Sequence, residues 1–215
     1  MKVAAAIFDL DGTVIDSEDA WGKAFIQILQ QFGVKVESDH PEVPGLSIKE
    51  SWKKLISKYD IKTTKTLDEL RSLTQKEFEK QIPSITLIDG VINLITNLKE
   101  SGVEVALATG TIWDITDKII RSLGIDDLFD SITTGDEVLS QKPDPEIFIK
   151  AIDKLGKNPV ECLVFENSAP GVTAAKIAGM KVVALDPSRE NSELKHADLV
   201  IGSFSEITPQ AIDSL

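Results

Sequence analysis

Cysteine and long apolar runs are scarce in this chain of 215 residues, and each shortage excludes a class of protein. The single cysteine, Cys162, excludes an internal disulfide, and its apolar neighbours predict a buried strand thiol rather than a reactive one. No stretch approaches the ~18 uninterrupted apolar residues of a membrane-spanning helix. The first residues lack the charged, apolar and cleavage-site pattern of a secretory signal. We therefore expect a cytoplasmic protein with no membrane partner.

Basic charge is scarce as well. The chain has 23 lysines and arginines against 35 aspartates and glutamates, which gives a formal net charge of −12. Such a surface repels nucleic acid and anionic lipid, so we expect neither as a partner. A small phosphate ester could still bind, provided that a metal ion, a lysine and backbone amides neutralise it locally. We expect a monomer that acts on such a small molecule.

The sequence pattern predicts an α/β fold. Hydrophobic residues make up 42% of the chain, as in a globular domain. An apolar strand opens the chain at residues 3–8, and strands alternate with helices of 10–15 residues after residue 83, which indicates a parallel sheet with helices on both faces. Residues 16–83 show three segments of helical spacing, and the first two are separated by a loop at 35–45 that contains two prolines. We predict a doubly wound, Rossmann-like core of residues 1–15 and 84–215, with residues 16–83 inserted as an all-helical cap.

Apolar spacing also predicts the separate elements. Inserted helices are expected at about 20–32, 47–59 and 67–82. Core strands are expected at 103–108, 131–134, 162–165, 182–185 and 199–201, in addition to the first. Core helices are expected to end near residue 98 and to cover 113–123, 145–155 and 169–178.

The first strand is followed by Asp9-Leu10-Asp11-Gly12-Thr13. Open α/β sheets bind ligands at the carboxyl ends of their strands, and alternate residues of an extended segment point the same way. Asp9 and Asp11 could therefore face one site, where a hard cation such as Mg²⁺ would offset their charges. A solvated turn is the alternative, since Asp and Gly are common turn residues. The pattern favours the functional interpretation.

Polar residues also follow three later strands. Thr109 and Gly110 supply a hydroxyl and amides near a helix start, which suits an anion; Lys142 could neutralise a phosphate; Glu166 and Asn167 offer oxygen ligands for a cation. Each fragment alone fits a helix cap, a solvated lysine or a turn equally well. Four such segments in order at four strand ends favour one shared site.

These segments resemble the motifs of the haloacid dehalogenase-like hydrolase superfamily, and the resemblance covers essentially the whole chain. Residues 164–172 and 174–180 are similar to the signature of the branch that includes β-phosphoglucomutase, phosphoglycolate phosphatase and small sugar-phosphate phosphatases. The helical insertion matches the cap of that branch. The resemblance implies a Mg²⁺-dependent phosphatase that acts on a small phosphomonoester.

The resemblance assigns a role to each strand-end residue. Asp9 would attack phosphorus and form an aspartyl-phosphate, while Asp11 would protonate the leaving oxygen and later deprotonate the hydrolytic water. Thr109, Gly110 and Lys142 would hold the transferring phosphoryl oxygens. A nucleophilic carboxylate beside a metal and a lysine suits phosphoryl transfer better than haloacid chemistry.

Magnesium, by the same resemblance, would be held by Asp9, the main-chain carbonyl of Asp11, Glu166 and Asn167. The family usually has aspartate where this chain has Asn167. Its amide oxygen can still coordinate, but the site loses one negative charge, so we expect weaker Mg²⁺ binding. Capping of the helix that begins near residue 169 is the alternative role for Asn167.

Two other functions stay open. A β-phosphoglucomutase-like mutase would carry a histidine in the first cap helix and an arginine in the cap loop, and neither is found where it is expected, which favours hydrolysis. A non-catalytic binding protein with this fold has Asn167 as its sole support. Further residues to examine in the insertion are Glu18, Trp21, His40, Ser47 and Lys49; Trp21 fits a cap core, His40 a solvated loop and Lys49 an exposed helix face equally well or better.

Overall fold

The computed structural model describes residues 3–36, 38–41, 46–208 and 212. Its strands in chain order are β1 Ala5–Phe8, β2 Ile15–Asp16, β3 Thr86–Leu87, β4 Glu104–Ala108, β5 Ser131–Thr133, β6 Cys162–Glu166, β7 Lys181–Leu185 and β8 Leu199–Ile201. Its helices are α1 Glu18–Gln31, α2 Ile48–Lys58, α3 Leu67–Glu79, α4 Val91–Glu100, α5 Trp113–Leu123, α6 Glu146–Leu155 and α7 Ala169–Ile177.

Six of the strands form one parallel sheet in the order β5-β4-β1-β6-β7-β8. The strand that comes first in the chain therefore lies inside the sheet, and the strand order reverses on either side of it. In a doubly wound fold this switch point opens a crevice at the carboxyl ends of the strands. The predicted α/β class with a Rossmann-like parallel sheet is confirmed.

Alternate residues of the buried strands face two separate apolar layers. In β1, Ala6 and Phe8 pack with residues of α4 and α5, whereas Ala5 and Ile7 pack with residues of α6 and α7. The Phe8 ring stacks on Phe165, with 4.5 Å between centroids. Full burial of such side chains stabilises the fold by about 1.5–3 kcal/mol each. These two layers hold the sheet edge, and the residues after it, in a fixed position.

The inserted helices α1, α2 and α3 have an apolar cluster of their own. Its largest member is Trp52, which is fully buried and donates its indole N–H to Thr74 Oγ1 at 2.8 Å. Ser47 caps α2, and Thr66 caps α3 through a reciprocal capping box with Glu69. The predicted helices of the insertion thus form, while its status as a separate cap domain stays a prediction.

A two-stranded antiparallel ribbon was not predicted. Ile15 of β2 pairs with Leu87 of β3, and Asp16 pairs with Thr86. Two residues are too few to show a period-2 pattern, so the sequence gives no signal for such a ribbon. The ribbon pairs the segment that precedes the inserted helices with the segment that follows them.

Most predicted bounds agree with the structure, and the third helix shows why some do not. It was expected to run to residue 82 but ends at Glu79, and a short 3₁₀ helix follows at Ile82–Ser84. Pro83 has no N–H to continue an α-helical ladder. Cys162 is buried in β6, as predicted. Among the described residues, none of the helices is long and apolar enough to span a bilayer.

Candidate active site

Sheet register brings the predicted residues to one edge. Phe8 is level with Leu107 on one side and Phe165 on the other, so Asp9 emerges between the ends of β4 and β6. The Asp9 amide donates to the carbonyl of Phe165 at 3.0 Å. A cavity of about 860 Å³ opens there, between the sheet edge and the inserted helices. Its lining includes every predicted site residue: Asp9, Asp11, Thr109, Gly110, Lys142, Glu166 and Asn167.

A buried lysine bridges two carboxylates at the bottom of this cavity. Lys142 Nζ lies 2.5 Å from Asp9 Oδ1 and 2.7 Å from Glu166 Oε1. The ammonium also lies over the Phe148 ring, 5.0 Å from its centroid. Asp9 and Glu166 are 6% and 1% exposed. Breaking a buried pair by removing one partner is strongly destabilising, so these three side chains hold each other in place.

The protonation of this cluster follows from its geometry. Burial raises the pKa of Asp9 to about 7, against the lowering effect of Lys142, and the nearby carboxylate of Glu166 adds to the rise. Burial alone would lower the pKa of Lys142, yet that pKa is raised because Asp9 and Glu166 both stabilise the ammonium. A raised pKa of Asp9 favours its neutral acid, whereas a raised pKa of Lys142 favours its charged ammonium. The two shifts therefore disagree about whether this pair is a salt bridge. We assign the shared proton to Lys142, whose amine contacts both carboxylates and is by far the stronger base.

The second carboxylate oxygen of Glu166 also accepts hydrogen bonds. Its Oε2 accepts hydrogen bonds from the amides of Asn167 and Ser168, at 2.8 and 2.7 Å, and from Ser168 Oγ at 2.9 Å. A side chain at Gly171 would place its Cβ 1.7 Å from Glu166 Oε1, so glycine leaves the room that the carboxylate needs. Glu166 thereby fixes Lys142, and its predicted role as a metal ligand stays a prediction.

The Asp11 carboxylate receives three hydrogen bonds. Ser17 Oγ and Trp21 Nε1 reach Oδ1 at 2.7 and 2.9 Å, and Thr111 Oγ1 reaches Oδ2 at 2.8 Å. The Trp21 ring stacks on Phe78 of α3, with 3.7 Å between centroids. Trp21 therefore both lines the cavity and packs among the inserted helices, which unites the two roles considered for it.

The loop after β4 presents a hydroxyl and a close backbone approach. Thr109 Oγ1 accepts a hydrogen bond from the Thr111 amide at 3.0 Å, which leaves its own proton to be donated elsewhere. A Cβ at Gly135 would lie 2.0 Å from the carbonyl oxygen of Gly110. Glycine at 135 thus allows the loops after β4 and β5 to touch, and this contact sets the position of Gly110.

Asn167 packs directly over the first turn. Thr13 Oγ1 is 3.4 Å from Asn167 Oδ1, and a Cβ at Gly12, whose φ is +77°, would lie 2.0 Å from Asn167 Nδ2. Among the described residues, no group of three or more His, Cys, Asp or Glu side chains is placed to hold a metal. The set implied by the resemblance has only two acidic side-chain ligands, with a carbonyl and an amide completing it. All of these ligand atoms are oxygens, which is the ligand type that Mg²⁺ prefers.

The residues singled out in the insertion all line the cavity. His40 Nε2 lies 3.4 Å from Asp19 Oδ1, Ser47 Oγ accepts from the Glu50 amide at 3.2 Å, and Lys49 Nζ is paired with Asp68 at 2.7 Å. His40 and Lys49 thus each have a carboxylate partner, and their side chains are 43% and 39% exposed. The loop in which a mutase arginine would be expected covers residues 44–50, and its residues 44 and 45 lie outside the described residues.

Ser17, Thr111 and Arg71 also line the cavity, and none of them was among the predicted site residues. Thr111 directly follows the predicted residues Thr109 and Gly110, so its position after β4 was a usable signal. Ser17 and Arg71 gave none, because a helix-start serine and a helical arginine are ordinary residues until the tertiary fold turns them to a site.

The fold and the site are those of an α/β enzyme whose buried carboxylate and lysine side chains lie at the carboxyl ends of the strands of a parallel sheet. The chain matches the family model described as "Haloacid dehalogenase-like hydrolase" over residues 6–185, and it belongs to that family. Its similarity to named relatives agrees with this.

One relative is the bifunctional riboflavin kinase/FMN phosphatase of Arabidopsis thaliana, 33% identical; the alignment covers 95% of this chain and about half, 54%, of that protein. Protein CbbY of Rhodobacter capsulatus is 31% identical over the whole of both chains. Hexitol phosphatase B of Escherichia coli is 25% identical over 96% of this chain and 95% of its own. The solved structure of CbbY from Rhodobacter sphaeroides with phosphate has a TM-score of 0.83 at 25% identity and covers 95% and 96% of the two chains. The chain is a phosphoric monoester hydrolase of this family.

Proposed function

We propose that this protein is a Mg²⁺-dependent phosphatase that hydrolyses a small phosphomonoester, a sugar phosphate or a phosphoglycolate-like compound, through an aspartyl-phosphate at Asp9. The observation that carries the proposal is the buried bridge from Lys142 to Asp9 and Glu166. The names of two relatives, hexitol phosphatase B and CbbY bound to phosphate, support a small phosphorylated substrate. The cavity of about 860 Å³ is large enough for a molecule of that size.

The reaction has two displacements at phosphorus. In the first, an Asp9 carboxylate oxygen attacks phosphorus, the bond to the leaving oxygen breaks, and Asp11 gives that oxygen a proton. In the second, water attacks phosphorus, Asp11 takes the proton of the water, and the bond to Asp9 breaks to release inorganic phosphate. The Ser17 and Thr111 hydroxyls can donate or accept, so Asp11 keeps hydrogen-bond partners in both protonation states.

The remaining residues position the phosphoryl group. The Lys142 ammonium can pass from Asp9 to a phosphoryl oxygen while Glu166 still holds it. The Thr109 hydroxyl proton and the Gly110 amide supply further donors from the loop after β4. Mg²⁺ held by Asp9, the Asp11 carbonyl and Asn167, with Glu166 as a further predicted ligand, would offset the charge of the phosphate.

Trapping of the aspartyl-phosphate tests this mechanism. An aryl phosphate with a good leaving group needs little protonation, so the Asp11→Asn variant should still form the intermediate but should lack the base that hydrolyses it. We expect intact-mass spectrometry after acid quench to show one added phosphoryl group on Asp11→Asn and none on Asp9→Asn. A phosphoryl group that persists on Asp9→Asn would contradict Asp9 as the nucleophile.

The two alternatives give different outcomes. A mutase would pass the phosphoryl group to a second sugar phosphate and yield a bisphosphate rather than inorganic phosphate. A binding protein would bind phosphate esters and show no phosphoenzyme in any variant. The cytoplasmic location and the monomeric state expected from the sequence remain parts of the proposal.

A further inference from the structure

Gln141 is a half-buried residue next to Lys142, in the loop of residues 134–145 between β5 and α6. Its side chain lines the cavity, and its Nε2 donates to the carbonyl oxygen of Gly135 at 2.9 Å. A backbone carbonyl only accepts hydrogen bonds, so the amide nitrogen must face Gly135, and this fixes the orientation of the amide. Gln141 therefore joins the end of the loop that carries Lys142 to the beginning of the same loop.

The beginning of this loop lies directly against the loop after β4. The Gly135 amide donates to the Thr111 carbonyl at 2.9 Å, and a Cβ at Gly135 would lie 2.0 Å from the carbonyl oxygen of Gly110. A Cβ at Gly110 would in turn lie 3.3 Å from Gln141 Oε1. The Gln141 amide, Gly135 and Gly110 thus pack on one another. Through these contacts the Lys142 end of the loop has a set position relative to Gly110.

Hydrogen bonds to α6 hold other parts of the loop. Glu146, the first residue of α6, accepts from the Ser140 amide at 2.8 Å, and Lys150 donates to the Glu137 carbonyl at 2.5 Å. Neither bond leads to the loop after β4. Among the described residues, the Gln141 side chain makes the one hydrogen bond between the first and the second half of the loop. The spacing between Lys142 and the loop after β4 therefore depends on this side chain.

We infer that Gln141 is a positioning residue for phosphoryl transfer, which sets the spacing between the Lys142 ammonium and the donors at Thr109 and Gly110. Such donors stabilise the charge that develops on the phosphoryl oxygens only if they already lie where the transition state requires them. Gln141 acts through its neighbours and not by contact with the reacting atoms. The inference rests on the proposed function, in which these donors hold the phosphoryl group.

The Gln141→Met variant tests this inference. Methionine is about as long as glutamine but has no N–H, so the variant keeps the bulk and loses the bond to Gly135. We expect kcat/KM to fall about tenfold, which corresponds to ~1.4 kcal/mol. The factor should be the same for glucose 1-phosphate and p-nitrophenyl phosphate, because the defect lies at the phosphoryl group and not at the leaving group.

Binding of orthovanadate gives a measurement that needs no turnover. Bound vanadate can take the five-coordinate geometry of a transferring phosphoryl group, so its dissociation constant, measured by calorimetry, should rise by a similar factor in Gln141→Met. A variant that had only lost stability would contain less folded protein. That loss lowers the apparent kcat/KM but leaves the dissociation constant of the folded fraction unchanged.

Lys150→Met serves as the control, because it removes a hydrogen bond to a carbonyl of the same loop on the side of α6. It should lose stability in urea unfolding and keep both kcat/KM and orthovanadate affinity. Unchanged orthovanadate affinity in Gln141→Met, or an equal loss of affinity in Lys150→Met, would overturn the inference and leave the phosphatase intact. Weakened orthovanadate binding by Gln141→Met, in a protein whose wild type hydrolyses no ester, would support the inference and contradict the phosphatase. A wild type that neither binds orthovanadate nor hydrolyses an ester would contradict both.

Discussion

The Asp11 carboxylate accepts hydrogen bonds from residues of both the core and the insertion. Two of its three hydrogen bonds come from Ser17 and Trp21, at the start of the insertion, and the third comes from Thr111 after β4. An acid–base group must be aimed at both the leaving oxygen and the attacking water. The first inserted helix therefore helps to aim the group that moves the proton.

Trp21→Phe should lower kcat with little change in KM. Phenylalanine keeps a ring to stack on Phe78 but has no N–H for Asp11, so we expect a loss of about tenfold in kcat, or ~1.4 kcal/mol. Trp52→Phe is the matched control, because it removes the indole bond to Thr74, and neither of these two residues lines the cavity. That control should lose stability in urea unfolding but keep kcat; an equal fall in kcat for both variants would argue against a positioning role for Trp21.

Asn167→Asp should tighten Mg²⁺ binding. The substitution adds a carboxylate of the same shape to the predicted ligand set, and we expect roughly tenfold higher affinity, measured as the Mg²⁺-dependent rise in melting temperature. Asn93→Asp adds the same charge on an exposed position of α4 and should have no such effect. Unchanged Mg²⁺ dependence in Asn167→Asp would contradict a role for Asn167 in metal binding. The helix-capping alternative for Asn167 is wrong, because Ser168 caps α7 by accepting a hydrogen bond from the Gly171 amide.

For the individual site residues, the sequence predicted which side chains lie at the strand ends but not which of them contact each other. All seven predicted site residues line one cavity, because parallel strands bring their carboxyl ends together. That Glu166 holds Lys142 was not predicted, since the pairing depends on how the Lys142 loop folds back toward the end of β6. The contacts of Ser17 and Trp21 with Asp11 depend in the same way on where α1 begins.

Among the elements, those of the core were predicted with the closest bounds. The helix expected at 113–123 and the strand expected at 199–201 occur with those bounds. The ribbon of β2 and β3 was missed because each strand has two residues and its partner is distant in the chain. The assignment of residues 16–83 to a cap domain remains a prediction of the sequence.

One acidic residue joins α7, β7 and β8 at the amino ends of the two strands. Asp198, just before β8, accepts hydrogen bonds from Lys176 at the end of α7, from Lys181 of β7 and from the Val182 amide, at 2.7, 3.0 and 2.9 Å. Burial by itself would raise the pKa of Asp198, but these donors hold it below its ordinary value. Its contribution to stability is therefore present above about pH 4 and is lost as the pH falls through the folded-state pKa.

Asp198→Asn should accordingly destabilise the protein in a pH-dependent way. We expect a loss of about 1–2 kcal/mol in the free energy of unfolding at pH 7, kept modest because both lysines are partly exposed. Urea unfolding from pH 7 downward should show the gap between variant and wild type narrowing below about pH 4. Asp60→Asn, which removes a pair exposed by more than four-fifths on both sides, should change little. A gap that stays constant with pH would contradict the electrostatic role of Asp198.

For the whole molecule, the charge and the cavity point to the same kind of substrate. A net charge of −12 opposes large polyanions, and the lysine and arginine side chains that line the cavity are local. The carboxylates on its core side make a neutralising cation and a lysine necessary for any phosphate to bind there. These properties fit a small phosphomonoester and a divalent metal together.

The most direct measurement is phosphate release from a panel of small phosphomonoesters, including glucose 1-phosphate and phosphoglycolate, with Mg²⁺ and with EDTA. Wild-type enzyme should release phosphate from a few of these esters only when Mg²⁺ is present, and Asp9→Asn should release none under either condition. No release by the wild type at any Mg²⁺ concentration, or equal release in EDTA, would contradict the proposed Mg²⁺-dependent phosphatase.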